Sequence, residues 1–318
     1  MQWKPTTHRL FFRCLAGALI GCIAGVVGSS AQSPAQSPAQ SPTQSPTRSP
    51  EQRSAQIRFR SETRDVVERR LKSFSTKNSE REALIRKWFA ESGCKEANLS
   101  EEALDRKLPP NVICVLPGET QRVIVVGAHT DKVDSFGDGV VDNWTGAALL
   151  PSLLYSLSAQ PRHHTLIFVG FSGEEKGLVG SQYYVDHLTN EQRAHIEGVV
   201  NFDSLGLGPT EVWASHADKA LLDALGRVAC ASKLQVTAVN VPEGATADSE
   251  SFARYQIPRI TLHSVTQRTW PILHSPFDKM AAIKMNDYYD SYKLIAEYLA
   301  YLDDSLKPAA ARAEKAAH

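Results

Sequence analysis

The chain has 318 residues, 42% of them hydrophobic and 22% charged, with 35 Lys+Arg against 35 Asp+Glu and a formal net charge of zero. That apolar content excludes a chain disordered throughout, and the length suits about two domains or one large α/β domain. Residues 1–53 hold five basic side chains against Glu51 alone, which leaves 30 positive and 34 negative charges in the rest, too acidic for a protein that binds nucleic acid by its field.

In chain order, Met1–Arg13 is a basic segment, Cys14–Val27 an uncharged apolar run, and Ser29-Ser30-Ala31 a set of small residues suited to cleavage. A 14-residue helix rises only ~21 Å, short of the ~30 Å hydrocarbon core of a bilayer. Residues 1–31 therefore read as a cleaved export signal, which sends the protein to the periplasm or the exterior and leaves it without a membrane attachment. An uncleaved anchor is one alternative, and a lipoprotein, from the lipobox-like Leu19-Ile20-Gly21-Cys22, is another. Residues 33–50 repeat Ser-Pro-x-Gln, and proline at every fourth position forbids helix and sheet, so 32–53 is an extended, disordered linker.

Residues 54–304 read as a single α/β domain and 305–318 as a disordered tail. Two helices are expected within 54–93, the second with Leu84, Ile85, Trp88 and Phe89 as its apolar stripe. Short β-branched runs follow at 111–116, 122–128, 165–171, 198–203, 211–215, 235–241 and 258–264, with helical patterns at 145–158, 177–188, 217–232 and 284–302. This alternation predicts a three-layer sandwich, a mixed but mostly parallel sheet flanked by helices on both faces. No GxGxxG follows the first strand and there is no Walker A sequence. Removal of the signal leaves Cys94, Cys114 and Cys230; in an oxidising compartment Cys94, at a helix end, can meet Cys114 on a strand, while Cys230 reads as a small buried apolar residue. His163 and His164 are expected in an exposed loop, and His263 as a buried neutral histidine.

Open α/β sheets bind ligands beyond the carboxyl ends of their strands. Here those ends carry His129-Thr130-Asp131, Ser172-Gly173-Glu174-Glu175 and Asp203, with Asp142 just before a helix and His274 in a late loop. Taken singly, each has an ordinary explanation: Asp142 as a helix N-cap, Glu174-Glu175 as an acidic pair at a helix start, Asp203 as a turn former. Together, two histidines and several carboxylates at successive strand ends match a metal site of borderline hardness.

The segments GAHTDKVDS…GVVDNWTGAA, FVGFSGEEKGLVGSQYYV, VVNFDSLG and LHSPFDKM resemble the landmark segments of the M28 family of co-catalytic zinc metallopeptidases, mostly secreted aminopeptidases. The resemblance covers about residues 110–302 in order and spacing. It implies two Zn²⁺ ions, one held by His129 and Asp203, the other by Glu175 and His274, with Asp142 bridging them. It further implies Glu174 as general base, Asp131 as the carboxylate behind His129, and a cis peptide at Asp142–Asn143. The residues alone leave open which of Glu174 and Glu175 is ligand and which is base. Charge balance agrees with the implied set: two Zn²⁺ against Asp142, Asp203 and Glu175 leave one positive charge, which a bridging hydroxide nucleophile would meet. Asn143-Trp144 replaces the acidic or small residue common beside the bridging Asp, and Ala247–Phe252 replaces a Ser-Asp-His segment. Trp144 and Trp270, beside proposed ligands, read either as pocket walls or as ordinary packing.

The expected function is thus an exported zinc exopeptidase that hydrolyses N-terminal peptide bonds of peptide substrates. The alternatives are a glutaminyl-peptide cyclotransferase, with one zinc, and a non-catalytic M28-like binding domain, which would have lost ligands. A serine hydrolase fails because Gly170-Phe171-Ser172-Gly173-Glu174 departs from GxSxG at its last position.

Overall fold

The structure, a computed structural model, describes residues 59–104, 107–241 and 244–306. The signal and linker assigned to residues 1–53, and the tail beyond residue 306, lie outside the described residues. In chain order the strands are β1 (Leu99–Glu102), β2 (Asn111–Leu116), β3 (Val123–His129), β4 (Thr165–Phe171), β5 (Ile196–Phe202), β6 (Thr210–Trp213), β7 (Val236–Val239) and β8 (Arg259–His263). The helices are α1 (Arg64–Lys72), α2 (Asn78–Glu91), α3 (Thr145–Ala147), α4 (Leu150–Ser158), α5 (Val179–His187), α6 (Asn190–Ala194), α7 (Lys219–Ser232) and α8 (Met285–Ser305).

All eight strands join one sheet in the order β1-β2-β4-β3-β5-β8-β6-β7. Its centre, β4-β3-β5-β8, is parallel, while β2 runs antiparallel to β4 and β6 antiparallel to β8. Side chains alternate across this centre. Ile124, Val126 and Ala128 of β3, Leu166 and Phe168 of β4, and Val200 and Phe202 of β5 join the larger core, with α1, α2, α3, α4, α7 and α8. Val125, Val169, Phe171 and Val199 point the other way, onto Tyr184 and Val185 of α5 and Phe252 of a 3₁₀ segment, Asp248–Tyr255. Burial on both faces is why these strands read as unbroken apolar runs. The α/β sandwich is as the sequence predicts.

Four local features differ. Expected as one helix, 145–158 is broken into α3 and α4, because Pro151 has no N–H to donate to the carbonyl four residues back. The short β1 (Leu-Ser-Glu-Glu) has no apolar alternation and forms only as an edge paired to β2. His164 is buried, not exposed: its Nδ1 lies 3.0 Å from the Asp303 carbonyl and its backbone N–H donates to the Asp303 carboxylate. Cys230 on α7 is half-buried where full burial was expected. The Cys94–Cys114 disulfide does form, with Cα atoms 6.1 Å apart, and ties the end of α2 to β2. Among the described residues no helix is long and apolar enough to cross a membrane.

Candidate active site

The parallel centre brings the carboxyl ends of β3, β4 and β5 to one edge, and with them His129, Glu174-Glu175 and Asp203. His129 is buried, with its Nε2 3.2 Å from Asp142 Oδ1 and 3.6 Å from Asp203 Oδ1. The other oxygen of Asp142, Oδ2, lies 3.1 Å from His274 Nε2, and that same nitrogen is 2.9 Å from Glu175 Oε2. One carboxylate thus faces two imidazoles, one through each oxygen, with Asp203 beside the first ring and Glu175 beside the second. All five residues that the sequence marked as ligands converge here.

Asp142 sits in a tight turn whose following peptide, Asp142–Asn143, is cis. The turn is entered through Gly139 at φ 64°, where an added Cβ would lie 2.5 Å from Lys132 Cβ and 2.6 Å from Arg81 Nη1, so only glycine fits. Two side chains without a role assigned from the sequence fix this turn. Asp278, buried, accepts the Val141 N–H at 2.6 Å through Oδ1 and the Asp142 N–H at 3.3 Å through Oδ2. Asn143 donates to the Phe202 carbonyl (2.7 Å) and accepts from the Gly146 and Ser204 N–H groups (2.9 and 3.1 Å), tying the Asp142 turn to the one that carries Asp203. The Asp four residues after His274 and the Asn after Asp142 were visible as residue types. Their partners are backbone groups, which leave no sequence pattern.

Asp131 plays two parts. Its carboxylate accepts the N–H groups of Glu174 (3.1 Å) and Glu175 (3.3 Å) and so sets where the glutamate loop begins. Its backbone carbonyl lies 3.1 Å from His129 Nδ1, closer than its carboxylate at 3.6 Å. A ring that donates from Nδ1 keeps the Nε2 lone pair for the cluster. Trp144 is wholly buried and packs, its Nε1 donating to the Arg70 and Leu71 carbonyls, whereas Trp270 is partly exposed. His263 is buried, and its Nδ1 accepts from the Val265 N–H; burial pulls it down to about 4, so it is neutral at pH 7.

The electrostatics show how crowded the carboxylates are. Burial, which is resisted by His129 and reinforced by Asp203, Asp248 and Asp142, pushes Glu174 up to about 10. Burial also raises Glu175 and Asp203. For Asp142 burial pulls the same way, but the adjacent imidazoles of His129 and His274 outweigh it and hold the group below the usual carboxylate range. Hydrogen bonds to Asp142 and Glu175 lift His274 to about 10.

The donor set fits a cation. One ligand atom each from His129, Asp142 and Glu175 lie within 4.8 Å of one another. Buried His129 Nε2 and Glu175 Oε1 have no hydrogen-bond partner, although His129 Nε2 is within 3.2 Å of a carboxylate oxygen. Buried donors this close and without hydrogen-bond partners suit a cation, and imidazole with carboxylate is donor chemistry of zinc.

A histidine–carboxylate cluster at the carboxyl edge of a central parallel sheet defines an α/β protein with a candidate metal site where such sheets bind their ligands. The sequence model of peptidase family M28 matches residues 111–299, and the chain belongs to that family. Among curated proteins it is 39% identical over 100 residues to leupeptin-inactivating enzyme 1 of Streptomyces exfoliatus, a match covering 30% of this chain and 22% of that one. It is 26% identical over 200 residues to aminopeptidase YwaD of Bacillus subtilis, covering 59% and 44%. The chain therefore spans less than half the length of these relatives. Among solved structures, LapA aminopeptidase of Legionella pneumophila superposes with a TM-score of 0.68 at 20% identity, covering 77% of this chain and 73% of that one. An Acidobacteriales bacterium glutaminyl cyclase superposes at 0.63 and 16% identity, covering 81% and 99%. Both likenesses are of fold.

Proposed function

We propose that the protein is an exported zinc aminopeptidase with two zinc ions, His129 and Asp203 holding one, His274 and Glu175 the other, and Asp142 shared between them. The observation that carries this is the Asp142 carboxylate, whose two oxygens stand 3.2 and 3.1 Å from two different imidazole nitrogens. Bound there, zinc supplies a Lewis acid that polarises the scissile carbonyl and lowers the pKa of water toward ~7.

The chain's own groups do the rest. Glu174 accepts the proton of the attacking water and delivers it to the leaving amine. Among the described residues its carboxylate makes no hydrogen bond or ion pair, which leaves it unengaged for that task. The positive charge of bound zinc would favour the ionised form of Glu174 against the burial that raises it. Asp131 keeps the start of the glutamate loop and the His129 ring in register. The Cys94–Cys114 bridge supports export through residues 1–31, since such bridges persist in oxidising compartments.

A second reading, glutaminyl-peptide cyclotransferase with one zinc, is favoured by the near-complete superposition on a cyclase. Purified protein incubated with peptides separates them. An aminopeptidase releases free N-terminal residues from C-terminally blocked peptides and spares N-acetylated ones. A cyclase releases nothing and converts only N-terminal Gln or Glu to a ring. Neither product, with zinc present, would overturn both.

A further inference from the structure

The family match begins at residue 111, yet part of what holds the candidate site comes from before it. The α1–α2 hairpin reaches both loops that carry the proposed ligands. Asn78, the first residue of α2, grips the backbone of Lys132 at two points: its Oδ1 accepts the Lys132 N–H at 3.1 Å and its Nδ2 donates to the Lys132 carbonyl at 3.3 Å. Lys132 directly follows Asp131. One turn along α2, Arg81 is fully buried, donates from Nη2 to the Gly139 carbonyl at 2.9 Å and lies 5.2 Å from the centre of the Trp144 ring. That contact holds the turn on which Asp142 is mounted. Trp144, at the far end of the turn, is itself pinned by its indole N–H to the Arg70 and Leu71 carbonyls in the last turn of α1.

Arg81 is an expensive way to fill space. Its Nε and Nη1 are buried without hydrogen-bond partners, so a guanidinium is held out of water by a single hydrogen bond. Burying a charge with so few hydrogen bonds is costly even with Asp131, Asp278, Asp142 and Glu175 near enough to attract it, and an apolar side chain of similar length would fill the space without that cost. What an apolar side chain cannot do is hold the Gly139 carbonyl. Asn78 makes the same point without a charge: its two bonds fix the position of a backbone segment, not a core.

We propose that Asn78 and Arg81 are positioning residues that set the separation of the His129 loop from the Asp142 turn, and through it the affinity of the site for zinc. The proposal rests on the two-zinc reading above. Removing groups that orient metal ligands typically weakens metal binding by about 10–100-fold.

The test is zinc affinity, by competition with a chromophoric chelator, on full-length folded protein well below its melting temperature. Asn78→Ala and Arg81→Met should each weaken binding by about 10–100-fold. Val67→Ala, a core truncation in α1 that makes no hydrogen bond to either loop, should lower the melting temperature and leave the zinc constant as in the wild type. A merely structural role predicts the same behaviour for all three variants: lower melting temperature, unchanged zinc constant. Wild-type affinity or tighter binding in Asn78→Ala and Arg81→Met overturns the proposal. If Arg81→Met fails to fold, Asn78→Ala decides alone. Failure of the wild type to bind zinc would instead sink the two-zinc reading, so the two failures are distinguishable.

Discussion

Glu174→Gln separates a proton carrier from a ligand at the position where two adjacent glutamates compete for both roles. The Glu175 carboxylate is 2.9 Å from His274 Nε2 and has its other oxygen buried and unpartnered, while among the described residues the Glu174 carboxylate contacts none of the proposed ligands by hydrogen bond. A carboxamide is nearly isosteric with the carboxylate, so Glu174→Gln should keep the fold and the full metal content. Loss of acid–base help lowers rate by roughly 10²–10⁴-fold, or about 3–5 kcal/mol of activation free energy, and the loss should fall on kcat with little change in KM. Glu175→Gln removes the carboxylate that faces His274 alongside the shared Asp142, and should shed or weaken one metal. Steady-state kinetics on an aminoacyl amide and elemental analysis after dialysis read both effects. If Glu174→Gln loses zinc while Glu175→Gln retains it, the two roles are reversed; if neither changes kcat, the chemistry happens elsewhere.

Other consequences are independent of catalysis. The Cys94–Cys114 bridge closes a loop with a sequence separation of 20, which the chain-entropy treatment values at roughly 3 kcal/mol, so the double Ala variant should melt roughly 6–12 °C lower; a shift below about 2 °C would contradict a formed bridge. His263 is held at about 4 against an ordinary 6.5, so the unfolded chain takes up its proton first and stability rises with pH through that window, by at most ~3 kcal/mol. In His263→Asn, whose amide oxygen can still accept from Val265, urea midpoints at pH 5 and pH 7 should lie closer together than in the wild type, and an undiminished gap would refute the assignment. Asp278→Asn turns one acceptor of the Val141 and Asp142 N–H groups into a donor, which should cost about 1–3 kcal/mol by urea unfolding; an unchanged midpoint would show that these bonds do not hold the turn.

The strands of the sheet centre were legible because residues such as Val125, Val126, Phe168 and Val169 are buried on both faces and leave a run of apolar letters. The five proposed ligands were legible for a related reason: parallel strands deliver their ends to one edge, so polar residues that close successive apolar runs must meet. What sequence did not show are contacts made to backbone. Asp278 acts on the N–H groups of a cis turn, Asn143 on a carbonyl of β5, and Asn78 and Arg81 on the carbonyls and amide of loops some 50 residues away. A backbone acceptor has no letter of its own, so no pairing of residue types could reveal them. His164 went astray for the same cause, because its partner, Asp303, sits at the far end of the chain.

The claim that everything else leans on is that Asp142 joins two zinc sites. Calorimetric titration of zinc into chelator-stripped protein tests it directly. Two equivalents should bind, and Asp142→Asn should weaken both, since each oxygen of the native side chain faces its own imidazole. A wild type that takes up one equivalent, or an Asp142→Asn variant that keeps one site at full affinity, would contradict the shared-carboxylate account.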